Sequence, residues 1–213
     1  MDLLQFLDGR LRFIVYFYDK AIAPFKDVID KIANEEPPYD VDPQTGKRNR
    51  YAFQSEFSEA DAGCDLVGSA CLSYAQMVLH RFLERWAVNL GGKDYLKKVA
   101  TSVKGSWLDK YRTFSLNVLH VDWAKSGVDL VYLEQIVLTR NDFHHPDNTL
   151  MTSFFFQSEH HAQKYPDPKF RHPLWDSDAT LIRPRLMVTR ENLIEAVQAI
   201  RILCEFLYHA RSR

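Results

Sequence analysis

The sequence predicts an all-α domain, a bundle of four or five helices spanning residues 1–213 as one unit. Three observations lead there. Four long stretches carry apolar residues at i, i+3 or i+4, and i+7, the spacing that lays one continuous stripe along a helix. The segments between them are short and basic or irregular and proline-rich, as insertions in a bundle are. The chain is 46% apolar and 13% aromatic, enough to pack a core in a chain of this length.

The first helix is expected from Leu3 to about Ala33. Leu4, Leu7, Leu11, Ile14 and Tyr18 form its stripe, and Ile22, Phe25, Ile29 and Ile32 extend it. Pro24 lies inside and is expected to kink or restart it, because proline removes one backbone donor. Phe13, Tyr16 and Phe17 widen the stripe beyond what one core needs and suit a second subunit. Residues 34–50 read as a loop, with a Pro-Gln-Thr-Gly turn and a basic tail of Lys47, Arg48 and Arg50. The second helix is expected near Ser58, where Ser58-Glu-Ala-Asp61 resembles a capping box. Val67, Cys71, Tyr74, Val78, Phe82 and Trp86 form its stripe, and Gly91-Gly92 ends it.

Two insertions interrupt the bundle. The first, about 93–125, is helical. Lys93, Lys97, Lys98, Lys104, Lys110 and Arg112 interleave there with Tyr95, Trp107 and Tyr111. Cations suit a phosphate backbone and rings suit bases, so Lys97, Lys98, Lys104 and Trp107 are the candidate contacts for single-stranded RNA. The second, about 147–188, is irregular. Its prolines argue against long regular elements, while Phe154–Phe156 and Leu181–Val188 suit short extended segments able to pair as a β-hairpin. An ordered loop of that length is functional or part of an interface. The last helix begins at Thr189 as N-cap, with Leu193, Val197, Ile200, Cys204 and Leu207 as its stripe.

Charge and cysteine usage narrow the partners and the compartment. The formal net charge is −1, so no global field draws nucleic acid; binding must come from a local patch or one assembled between subunits. Cys64, Cys71 and Cys204 lack metal-ligand spacing and are odd in number, which suits a reducing compartment. The N-terminal residues mix Asp2, Asp8, Arg10 and Arg12 with short apolar runs, unlike a signal peptide or a membrane span. A cytoplasmic protein without a membrane partner is expected.

The chemistry concentrates at Val128–Pro146, VDLVYLEQIVLTRNDFHHP. Leu130, Leu133 and Val137, with Val131, Ile136 and Leu138 on a flank, read as a buried helix. It ends in Arg140, Asn141, Asp142, His144 and His145, and Pro146 disfavours helical backbone at His145. A cation and two imidazoles thus stand where a packed helix meets a loop. The residues Arg140-Asn141 followed by His145 resemble the signature of the HEPN superfamily: an Arg, a polar residue such as Asn, and a His four to six residues on. The resemblance implies a helical bundle with the motif at the end of the third main helix. It also implies a metal-independent endoribonuclease in a toxin, antiviral-defence or RNA-processing role. It further implies a homodimer in which two motifs build one composite site, RNA as substrate, an antitoxin or regulatory protein as partner, and no cofactor. In toxins of that family paired with a nucleotidyltransferase, a Tyr stands two places after the motif His. Here that place is Asp147, so regulation by adenylylation of that tyrosine is not expected.

The residue types fit the reaction. Cleavage through the 2′-hydroxyl needs one proton removed, one delivered to the leaving 5′-oxygen, and charge stabilised on the phosphate. Histidine suits proton transfer near neutral pH, and arginine offers a permanent, planar fork of donors. Arg140, Asn141, His144 and His145 are the candidate catalytic residues. On an ideal helix Arg140 and His144 share a face, whereas His145 is turned away by about 140°. The family offset selects His145, and His144 is the reserve base or a phosphate contact. Two other classes compete. One is a non-catalytic HEPN-like module that binds RNA, nucleotide or protein. The other is a metal-dependent phosphohydrolase built on His144, His145, Asp147, His160, His161 and His172, none of which shows committed helical ligand pairing.

Overall fold

The computed structural model of the chain describes residues 2–99, 106–145, 155–172 and 185–210. Lys104, Pro146 and Asp147 therefore lie outside the described residues, as do Phe154 and residues 173–184.

Four long helices make the bundle: α1 (Leu3–Ala33), α2 (Gln54–Asn89), α5 (Leu130–His144) and α7 (Arg190–Ala210). Between them lie α3 (Lys93–Val99), α4 (Trp107–Leu119), α6 (Glu159–Lys164) and the strands β1 (Phe155–Phe156) and β2 (Arg185–Leu186). The two strands pair antiparallel, Phe155 opposite Leu186, and Arg171 adds a bridge to Leu186. The chain is an all-α bundle carrying a small two-stranded element, as the sequence predicts. The strands are not a simple hairpin, since α6 lies between them.

The predicted stripes are the core. Leu7, Leu11, Ile14, Tyr18 and Ile22 of α1 are buried, as are Cys71, Val78, Phe82 and Trp86 of α2. Leu193, Val197, Ile200, Cys204 and Leu207 of α7 are buried against them. Helices α1 and α2 run antiparallel: Gly63 meets Phe25 near one end and the Arg10 guanidinium donates to the Tyr74 hydroxyl further along. Helix α7 is pinned to α1 by Arg190–Asp19 and Arg201–Asp8, and to α2 by the Trp86 indole donating to the Leu207 carbonyl.

Two boundaries differ from expectation. Helix α2 starts at Gln54, four residues before Ser58, because a 3-10 turn over Arg50–Phe53 feeds straight into it. Pro24 sits within α1 and the helix continues through it. The missing donor costs one bond, while tertiary packing of Tyr18, Ile22 and Ile32 holds both flanking turns in place.

The approach of α2 to the chain entering α7 depends on Gly68. A Cβ there would stand 2.7 Å from the Val188 carbonyl oxygen and 3.0 Å from its Cβ. Alanine gains up to about 1 kcal/mol of helix propensity over glycine, whereas overpacking a core costs about 1–3 kcal/mol. The clash involves backbone, so the cost prevails. Gly68→Ala is expected to lower the melting temperature by several degrees; an unchanged or raised value would show that the α2–α7 contact yields freely.

Helix α5 is covered on two sides, which explains why it lacks a single apolar stripe. Leu133, Ile136 and Val137 pack inward, and Tyr132 donates its hydroxyl to the Asn192 carbonyl on α7. The second insertion closes over the other side. Phe170 stacks on Tyr132 at 5.6 Å, Phe155 meets Phe143 edge-on at 4.8 Å, and the Lys169 amide donates to Gln135. Lys164 and the Tyr165 hydroxyl both reach the Glu134 carboxylate.

Candidate active site

Helix α5 delivers the motif in regular geometry. Asp129 caps its start by accepting from the amides of Val131 and Tyr132. At its end His145 leaves the helical region (φ −133°, ψ 60°), as a residue before proline should, yet its N–H still bonds the Asn141 carbonyl at 2.8 Å. The helix is not distorted before that point, so ideal spacing applies and the motif divides between two edges.

One edge carries Arg140 and His144. His144 Nε2 lies 3.0 Å from the Ser73 hydroxyl on α2. Arg140 is half-buried beside it, donates to the Asn141 side chain at 3.3 Å, and has a buried Nε without a hydrogen-bond partner among the described residues. Local burial, then the Arg140 guanidinium, then His145 lower the pKa of His144. Its neutral form is therefore the favoured one at neutral pH. The other edge carries Asn141 and His145, which line an open cleft of about 500 Å³ with Asp142 and with Ser158, Glu159, His160 and Gln163 of the second insertion. Within one subunit, then, Arg140 neighbours His144, and His145 faces a different side.

Asp142 is the motif residue that sequence reasoning did not assign. It turns inward and its carboxylate meets His161 Nδ1 of α6 at 2.8 Å, with both side chains buried. A signal was available. Gln135, Thr139 and Asp142 fall at i, i+4, i+7 among buried neighbours, and a polar stripe facing inward requires partners. What the pattern could not say was which residue, nineteen positions on, would supply one. A second buried cluster was also missed. Arg185 of β2 bonds Asp61 and Asp65 of α2 at 2.8 and 2.5 Å. Burial pushes Asp65 up to about 6 despite the adjacent guanidinium.

The proposed RNA patch is partly in view. Lys97 and Lys98 are exposed on α3. The aromatic residues face the protein more than expected: Tyr111 is buried, Tyr95 packs on Phe114, and half-buried Trp107 lies 4.6 Å from the His80 ring of α2. His80 and Ser73 are seven residues apart on α2, two turns and about 10 Å, so both point to one side of that helix. The Trp107 and His144 contacts thus lie along one face of α2.

Among the described residues no three His, Cys, Asp or Glu side chains converge as a metal site. Of the residues considered as ligands, His161 uses Nδ1 on Asp142, while burial and nearby Arg185 lower His172. No helix among the described residues is long and apolar enough to cross a membrane. Comparison with protein-family models, with curated proteins and with solved structures finds no match to the chain.

Proposed function

We propose that this chain is a metal-independent endoribonuclease that cuts RNA by attack of the 2′-hydroxyl, with Arg140 holding the phosphate. The observation that carries the reading is local. One permanent cation, one amide and two imidazoles stand at the end of α5, whose Asn141 and His145 border a cleft open to solvent. Neutral His144, on the edge of Arg140, suits proton abstraction; His145, at the family offset, suits proton delivery; Asn141 bridges the two edges. The role, whether toxin, defence or RNA processing, follows from the resemblance and not from the site. The alignment of Trp107 and His144 along α2 supports a single strand lying on that face, and the exposed Lys97 and Lys98 of α3 are cations it could reach.

A homodimer completes the reading. Phe13, Tyr16 and Phe17 of α1 and Leu66 and Met77 of α2 are exposed, and an apolar groove of about 280 Å³ runs between Phe13, Phe17, Ala70 and Tyr74. Ala70 and Tyr74 flank Ser73, the residue that holds His144. A second copy seated on this face would bring its own motif close to Arg140. Phe17→Glu, at a position 45% exposed, is expected to leave the fold intact, give a monomer by light scattering, and lose RNA cleavage. A dimer that persists with the charge in place would exclude this face.

The deciding experiment is cleavage of a mixed RNA pool in excess EDTA. Wild-type protein is expected to cut, leaving 2′,3′-cyclic phosphate ends. Cutting abolished by EDTA would sink the metal-independent mechanism. Binding without cutting would favour a non-catalytic module, a reading supported by the groove and by the hydrogen bond that engages His144.

A further inference from the structure

The cleft beside the motif has two walls of different origin. The end of α5 supplies Asn141, Asp142 and His145; the second insertion supplies Ser158, Glu159, His160 and Gln163. Helix α6 has six residues, too few to persist by its own hydrogen bonds in water. Its position is therefore set by what it docks on. His161 points back into the protein with no exposed surface, its Nδ1 on the Asp142 carboxylate. Its Nε2 is buried, with no hydrogen-bond partner among the described residues. An ionised carboxylate only accepts, so Nδ1–H is the donor in this contact. Lys164 and Tyr165 on Glu134, and Gln157 donating to the Tyr165 carbonyl at 2.6 Å, secure the rest of the segment.

With His161 turned in, His160 and Gln163 are turned out. They face the edge of α5 that bears Asn141 and His145. The chemistry of this cleft does not suit a phosphate: Glu159 and Asp142 are among its lining residues, and no lysine or arginine is. Imidazole and amide groups set against Asn141 suit an uncharged partner with donors and acceptors on one planar edge. A nucleobase is such a partner.

We infer that the α6 wall reads the base next to the phosphodiester held at Arg140, and that the Asp142–His161 contact is the clasp that positions this wall. The inference rests on the nuclease reading for the phosphate at Arg140. It makes His160 and Gln163 base-contacting residues and His161 a positioning residue.

The test uses fluorescent 2′-O-methyl oligonucleotides of each base, which bind without being cut, with affinity read by anisotropy. Hydrogen exchange of residues 155–165 and cleavage of a mixed RNA pool in EDTA are measured beside it. Wild type is expected to favour one base by about tenfold, the discrimination a pair of edge hydrogen bonds provides. The double variant His160→Ala/Gln163→Ala, exposed and harmless to the fold, is expected to bind all four alike. His161→Phe keeps the ring volume but not the donor; it is expected to raise exchange across α6 and erase the preference. His161→Asn returns a donor near the position of Nδ1 and is expected to restore both.

A purely structural His161 would lower the melting temperature of the Phe variant and leave base preference unchanged below it, which would overturn the positioning role. A double variant that keeps the wild-type preference, or wild type without any preference, would overturn the base-reading wall while leaving the nuclease intact. Base-selective binding with no cleavage would sink the nuclease and keep the wall. Absence of oligonucleotide binding by wild type would overturn both.

Discussion

Arg140→Ala is expected to cut RNA about 10²- to 10³-fold more slowly than wild type in EDTA, on the nuclease reading proposed above. Arg140 is the one permanent cation in the motif, and its loss leaves the phosphate charge unmatched. The histidine variants divide the remaining work. His145→Ala is expected to cost about 10²- to 10⁴-fold, the usual range for a lost proton-transfer group. His144→Ala discriminates between one-subunit and two-subunit sites. If both histidines act from one chain, its loss is as large as that of His145. If Arg140 and His145 meet across a dimer, His144→Ala retains most activity. The pH profile adds a separate reading. Burial and Arg140 favour the neutral form of His144. A base must be neutral, so protonation removes activity only as pH falls through that lowered pKa. Wild-type cleavage is therefore expected to hold steady from neutrality to below pH 6.5, the ordinary histidine value, before declining. An acid limb centred above pH 6.5 would remove His144 as the base. Equal cutting by wild type and Arg140→Ala would end the nuclease assignment itself.

Arg185→Met is expected to be strongly destabilising, by about 3–5 kcal/mol at neutral pH. Arg185 is 5% exposed and its guanidinium bonds both Asp61 and Asp65, with Asp65 only 2% exposed. Methionine fills similar volume but strands a buried carboxylate. The pH dependence identifies the cause. Asp65 already stands at about 6 against an ordinary value of 3.8, so folding favours its protonated form. Its contribution is fully present below the unfolded value and is lost as pH rises through about 6. Without Arg185 that value rises further, so the loss extends above pH 6. The gap between wild type and Arg185→Met is thus expected to be wide at pH 8 and to narrow by pH 5. Denaturant titrations at both pH values measure it. A gap that is constant with pH would show that the guanidinium's packing, and not its charge, secures β2 to α2.

Much of the bundle was legible because it rests on periodicity, which is local. The inward residues of α1, α2 and α7 could be named from spacing alone, since a helix with one wet side must place apolar groups on the other. Helix α5 was harder to read. Val131 lies on its predicted apolar flank yet is 47% exposed, while Gln135, Thr139 and Asp142 are buried. Periodicity assumes one dry side, and α5 has two, the second built by an insertion whose own sequence shows no strong period. The basic–aromatic segment was similarly ambiguous. Sequence could place Trp107 and Tyr111 near lysines, but not say that the tyrosine ring would be drawn into the core.

The sequence by itself determined the helical class, the stripes that form the core, and the position of Arg140, Asn141, His144 and His145 at the end of one helix. Covalent spacing and helical geometry suffice for those. Spacing alone put Arg140 and His144 on one face; only the tertiary structure decided that His144 meets Ser73, that His145 opens onto a cleft walled by the second insertion, and that Asp142 is held by His161. Each of these is a meeting of residues distant in sequence. Such meetings depend on how loops close and which surfaces bury each other, and no local pattern encodes a partner nineteen or seventy-one positions away.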